Sequence, residues 1–120
     1  MTDAGLARVG AIMIDCHDPI SLFEFWSKIV GVEVEHHFPA YIFTTTLPGN
    51  NIRLAFQQVP EDKVVKNRLH LDLAHTDPEA FIARVEALGG SRVEDHQMAE
   101  FSWTVLADPE GNEFCVTLEH

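Results

Sequence analysis

The sequence predicts an α+β fold assembled from two tandem βαβββ modules, and three observations carry that reading. The chain repeats its own punctuation: Asp18-Pro19 and Asp77-Pro78, 59 positions apart, each precede an amphipathic helical segment. The same offset pairs Ile12 with Leu71, Ile14 with Leu73, Ile29 with Leu88 and Gly31 with Gly90. Late in each half, Gly49-Asn50 and Gly111-Asn112 precede an apolar strand at an offset of 62, a difference that loop length would produce. The remaining segments are short and alternate with period two, as mainly antiparallel strands do. Finally, 120 residues of which 46% are hydrophobic suit one domain with a single filled core.

Taken in order, residues 9–16 alternate, with Ile12, Ile14 and Cys16 on one face and Ala11, Met13 and Asp15 on the other, which predicts a strand. Asp18 is a suitable N-cap and Pro19 a suitable first helical residue. Leu22, Phe23, Phe25, Trp26, Ile29 and Val30 then form an apolar helical face that ends at Gly31, and Trp26 is read as core. Strands follow over 32–38, 40–47 and 51–57, with Pro48-Gly49-Asn50 as the last turn. Residues 58–67 form a polar linker containing Pro60-Glu61-Asp62-Lys63, between modules spanning about 8–57 and 68–117. The second module reads as strand 69–75, helix 78–89 on Phe81, Ile82, Val85 and Leu88, and strands 91–97, 101–107 and 112–117. Asp108-Pro109-Glu110-Gly111-Asn112 makes its final turn.

Eight basic against nineteen acidic residues give a formal charge of −11, which repels nucleic-acid backbones and anionic membrane surfaces. No apolar run is long enough for a spanning helix, and the first residues lack the regions of a secretory signal, so a cytoplasmic location is expected. Cys16 and Cys115 are expected to be free thiols. Leu118-Glu119-His120 resemble the start of a vector-encoded Leu-Glu-polyhistidine tail, and Glu119 and His120 are set aside from site arguments.

Alternation also sorts side chains by face, since i and i+2 share one and the helix-packed face must be apolar. Ile12, Ile14 and Cys16 pack inward, as do Ile52, Leu54 and Phe56; Leu69, Leu71 and Leu73; and Phe114 and Val116. The opposite face then holds Met13, Asp15, Arg53, Gln57, His70, Asp72, Glu113 and Cys115. His36 and His37 point to opposite faces of one strand and cannot chelate together.

The Asp-Pro-capped helices, Phe25-Trp26, the glycine exits, His70-Leu71-Asp72-Leu73 and Asp108-Pro109-Glu110-Gly111-Asn112-Glu113-Phe114 together resemble the vicinal-oxygen-chelate superfamily. This group includes glyoxalase I, bleomycin-resistance proteins and dioxygenases, and these motifs are similar to an actinobacterial glyoxalase-like branch. The resemblance covers residues 8 to 117 or so and implies eight strands curled into a cup with the helices outside. It implies a homodimer as well, since exposed strand edges need covering. Activity follows only loosely, because the scaffold hosts lyases, isomerases, dioxygenases and non-catalytic drug binders.

Metal-binding relatives place one ligand on each of four strands, and by motif those positions are Ala11, Arg53, His70 and Cys115. His70 and Cys115 retain donor atoms, whereas Ala11 has none and Arg53 brings a permanent positive charge. The expectation is therefore no metal cofactor and no glyoxalase I activity, which needs an ion to stabilise its enediolate. No Ser-His-Asp order, phosphate loop or paired-carboxylate motif is evident.

The bland readings are equally concrete: a strand histidine is often only hydrogen-bonded, an Arg53–Asp72 pair would say little about catalysis, and Cys115 can be a small apolar residue. Trp103 lines the cup or fills a dimer contact. The first functional expectation is a metal-free cup that binds a small organic molecule through Met13, Arg53, His70, Asp72, Trp103 and Cys115. The alternative is an enzyme with a relocated divalent metal, or with His70 and Asp72 as a catalytic acid/base pair. A third reading is an interaction module whose cup is occluded.

Overall fold

The computed structural model describes residues 5–119. The chain divides between Pro60 and Glu61, inside the polar linker, into two compact units. Unit 1 contains β1 (Ala11–Cys16), α1 (Pro19–Val30), β2 (Val34–Phe38), β3 (Tyr41–Thr46) and β4 (Arg53–Gln58). Unit 2 contains β5 (Leu71–His75), α2 (Pro78–Ala87), β6 (Ser91–Met98), β7 (Phe101–Ala107) and β8 (Glu113–Leu118). Each unit is thus βαβββ, and the fold is α+β.

The hydrogen-bonded order is β1-β4-β3-β2 in unit 1 and β5-β8-β7-β6 in unit 2. The first and last strands of each unit run parallel, and the other neighbours are antiparallel. The helix is the crossover that permits the parallel pair, because parallel strands cannot be joined by a tight turn. Among the described residues the eight strands form two four-stranded sheets, rather than one continuous eight-stranded sheet.

Both helices begin as their sequences dictate. Asp18 accepts a hydrogen bond from the Ser21 amide at 3.1 Å, and Asp77 accepts one from the Ala80 amide at 3.2 Å. Each proline at the first helical position forfeits only a donor that would have had no intrahelical partner. Leu22, Phe25 and Trp26 of α1 and Phe81, Ile82 and Val85 of α2 are buried. They share the cores with Ile42, Leu54 and Phe56 in unit 1, and with Leu106, Phe114 and Val116 in unit 2. Phe23 meets Phe56 edge-on at 6.3 Å, which fixes the face of the first sheet that α1 covers. In unit 2, Arg92 of β6 binds Glu79 of α2 at 2.7 Å and marks the corresponding face.

Several sequence expectations need correction. The strand placed at 69–75 starts at Leu71; Leu69 is 89% exposed and packs against no core, and His70 lies just ahead of the ladder. Helix α2 ends at Ala87, and the residue with left-handed backbone at its exit is Gly89 (φ 101°), not Gly90. Gly90 instead donates its amide to the Val85 carbonyl.

The repeat offset of 62 does not hold within the sheets. Cys16 lies beside Gln58, and His75 beside Leu118, so β4 and β8 are related by 60 positions. The cause is the last turn of each unit. In unit 1, Asn50 and Asn51 separate Gly49 from Ile52, whose carbonyl closes the turn on the Leu47 amide. In unit 2, Gly111 is followed at once by Asn112, which closes on the Asp108 amide. Leu118 is the last residue of β8, opposite His75, while His120 lies outside the described residues. No helix is long and apolar enough to cross a membrane among the described residues.

Candidate functional site

The sheet face away from each helix can be traced by register, because directly opposed residues share a face. In unit 1, Met13 lies beside Ala55, which lies beside Phe43, which lies beside His36. One row further along come Asp15, Gln57, Tyr41 and Phe38. Four rings therefore gather on this face. His36 stacks on Phe38 at 6.2 Å, Phe38 meets Phe43 edge-on at 6.1 Å, and Tyr41 stacks on Phe43 at 6.1 Å. Gln57 donates to the Tyr41 hydroxyl at 3.2 Å, and Met13 is 41% exposed. The wall is apolar, with polar groups at its margin.

Arg53 is beside Ala11 on the same face, and its guanidinium donates to Glu35 at 2.6 Å. That hydrogen bond holds the Glu35 carboxyl below its ordinary range. The pair forms because β2 carries an irregularity between Val34 and His36, and β3 another between Phe43 and Thr46. At the second, the Leu54 amide bonds to the buried Thr44 hydroxyl at 3.1 Å. Strand alternation cannot anticipate a bulge, so Glu35 was missed. The signal for the aromatic wall was present in the sequence: His36, Phe38, Tyr41 and Phe43 alternate across the short Pro39-Ala40 connection.

Unit 2 presents a different surface. Asp72 lies directly opposite Cys115, which neighbours Val105, and in the next row Thr117 neighbours Trp103, opposite His96. His70 reaches Asp72, Nε2 to Oδ1, at 3.3 Å. The ligand atoms of His70, Asp72 and Cys115 all lie within 4.8 Å of one another. His70 and Asp72 are exposed, whereas Cys115 is buried at 5% exposure. Burial pushes the Cys115 thiol pKa up, and the Asp72 carboxylate pushes it further, so at neutral pH this is a protonated thiol and no ready nucleophile.

Glu113 is held separately by Lys66 Nζ at 3.2 Å and the Asn67 amide at 3.4 Å. Burial alone would raise its pKa, but these donors lower it. Trp103 stacks on His96 at 5.0 Å, and His96 contacts Glu94 at 2.8 Å.

The register decides which residues of the two units correspond. Ala11, Met13, Arg53 and Ala55 occupy the places that His70, Asp72, Glu113 and Cys115 occupy in unit 2. Arg53 thus matches Glu113, and the counterpart of Cys115 is Ala55. Of the four positions that metal-binding relatives would use, the two in unit 1, Ala11 and Arg53, supply a methyl group and a cation already committed to Glu35. The residues present do not fit the four-ligand ion implied by the resemblance.

A cavity of about 320 Å³ opens in unit 1 beside the start of α1; it shares Phe38 and Tyr41 with the ring wall and is lined also by His17, Ile20, His37 and Gln58. Neither Met13 nor Arg53 lines it. The DPEGN motif proves to be architecture. Asp108 is buried, and its carboxylate accepts from the amides of Glu110 and Asn112, each at 2.9 Å, and from the Asn112 side chain.

Residues 11–117 match the family model described as Glyoxalase-like domain. Solved structures with the same fold include a glyoxalase/bleomycin resistance protein/dioxygenase family enzyme from Burkholderia phytofirmans PsJN. It is 17% identical with a TM-score of 0.75, over 93% of this chain and 98% of that one. A glyoxalase-related enzyme from Fulvimarina pelagi is 17% identical with a TM-score of 0.72, over 95% and 89%. The fosfomycin resistance protein FosX from Listeria monocytogenes is 12% identical with a TM-score of 0.76, over 96% and 95%. None of the curated proteins is significantly similar to this sequence.

Proposed function

We propose that this chain, which belongs to the glyoxalase-like domain family by the match over residues 11–117, is a binding protein for a small planar organic molecule. The observation that carries the reading is the ring wall of Phe38, Tyr41, Phe43 and His36 on the face of unit 1's sheet away from α1. Stacking on such rings is favourable for flat, apolar ligands, and Gln57 and Asp15 stand where a polar substituent would need partners. Because Glu35 already neutralises Arg53, the ligand class is neutral aromatic rather than strongly anionic. The binding requires no metal at the four family positions.

An NMR fragment screen tests the reading. Neutral bicyclic aromatics should shift the Met13, Tyr41 and Phe43 resonances with chelator present, and Phe43→Ala should abolish the effect. Hits confined to other surfaces would overturn it.

One observation favours a second reading, an enzyme. His70 and Asp72, 3.3 Å apart, form an imidazole–carboxylate pair that a lyase, isomerase or dioxygenase of the superfamily could use as acid and base. Turnover that persists in Phe43→Ala but stops in His70→Ala would select it. Under either reading we propose a cytoplasmic location and membership of the actinobacterial branch that the His70-Leu71-Asp72-Leu73 motif resembles. The chain is further proposed to be a homodimer, since β2 and β6 are terminal strands of their sheets and a terminal strand offers an edge for pairing. Sedimentation showing only a 13.5 kDa species at micromolar concentration would refute the dimer.

A further inference from the structure

We infer that unit 2 alone carries a binding site for one borderline-soft divalent cation of the zinc type, with His70, Asp72 and Cys115 as ligands. The inference is independent of aromatic binding in unit 1. It keeps His70 and Cys115 of the four-ligand arrangement but replaces the two donors missing from unit 1 with Asp72, so that all three donors come from β8, β5 and the residue just before β5.

Three arguments support it. The first is geometric. Zinc holds sulfur at about 2.3 Å and nitrogen or oxygen at about 2.0–2.2 Å, so ligand atoms around a tetrahedral ion lie about 3.5 Å apart. His70 and Asp72 are already 3.3 Å apart, and the whole set lies within 4.8 Å. The longest separation has to shorten by only about 1 Å to reach that spacing.

The second argument is chemical. A thiolate, an imidazole and a carboxylate are the mixture of donors that zinc accepts, whereas calcium and magnesium want oxygen alone. On binding, the Cys115 S–H bond breaks, sulfur gives its electron pair to the ion, and the proton passes to solvent. A thiolate, a carboxylate and a divalent ion then sum to zero charge, so burial on the Cys115 side carries no net charge. His70 and Asp72 form the exposed rim through which the ion arrives.

The third argument is the internal control. The same scaffold positions in unit 1 are Ala11, Met13 and Ala55. A sheet of this kind folds with no imidazole, carboxylate or thiol at these three positions, so folding does not require the donor set in unit 2.

The test is a cobalt(II) titration of the full chain, with no histidines beyond its own, after removal of metal by chelator. Cobalt bound by a thiolate acquires a charge-transfer absorption in the near ultraviolet. The expected result is a band that saturates at one equivalent, is displaced by zinc and is accompanied by release of a proton. Cys115→Ser should abolish the band, and His70→Ala and Asp72→Asn should each weaken binding by more than about 10-fold.

Absence of a band in the wild type would overturn the site. So would a band that survives Cys115→Ser, which would assign it to Cys16, or one indifferent to both His70→Ala and Asp72→Asn, which would mark an adventitious thiol complex. If Cys115→Ser does not fold, the triple variant H70A/D72M/C115A, patterned on unit 1, replaces it. It should fold and bind no cobalt, and cobalt binding by that variant would equally end the proposal.

Discussion

Two copies of one βαβββ unit have been filled differently in this chain. At three matched positions unit 1 has Ala11, Met13 and Ala55, and unit 2 has His70, Asp72 and Cys115. Where unit 1 places Arg53, bound to Glu35, unit 2 places Glu113, bound to Lys66. The helix-packed faces, by contrast, are apolar in both, and the helices start with the same Asp-Pro cap. The difference shows which part of the unit the fold constrains. Packing against a helix restricts one face to residues that fill a core, whereas the other face needs only to satisfy its own polar groups and is open to divergence.

The largest expected effect breaks the comparison at its core. Trp26 of α1 corresponds to Val85 of α2, 59 positions on, and both are buried. Trp26→Ala should cost about 3–5 kcal/mol, and Val85→Ala about 2 kcal/mol. Urea denaturation measures both; equal losses would mean that the two helices are not anchored by these matched residues.

A smaller effect separates the turns. Asp108→Ala strands two backbone amides and should cost about 1–3 kcal/mol, whereas Asn50→Ala, which removes a single acceptor from the Ile52 amide, should cost about 1 kcal/mol. The same denaturation midpoints decide it, and a larger loss for Asn50→Ala would reverse the assignment of the tighter turn.

The smallest effects are in pH dependence. Glu35 titrates below its ordinary range because Arg53 bonds to it, and its contribution is therefore present above its unfolded pKa and lost as pH falls through the folded one. Cys115 is shifted upward by burial, then by Asp72, so its contribution is present below the unfolded thiol pKa and lost as pH rises through the folded one. Stability measured against pH should lose part of its acid limb in Arg53→Ala and part of its alkaline limb in Cys115→Ala. The reverse pattern would contradict both assignments.

The sequence by itself determined the two modules, the Asp-Pro caps and the apolar face of β1, β4 and β8. These depend on local periodicity and on capping chemistry, which nearby residues fully specify. It also placed His70 two residues before Asp72, near enough in the chain to share a face. Only the tertiary structure decided that Cys115 stands opposite Asp72, that Ala55 rather than Arg53 is its counterpart, and that Glu35 meets Arg53. Those facts depend on strand register, and register here is set by two irregularities in unit 1's sheet and by the two residues that follow Gly49 without a counterpart after Gly111. A shift of that size leaves the hydrophobic pattern of each strand unchanged, so no reading of periodicity can detect it.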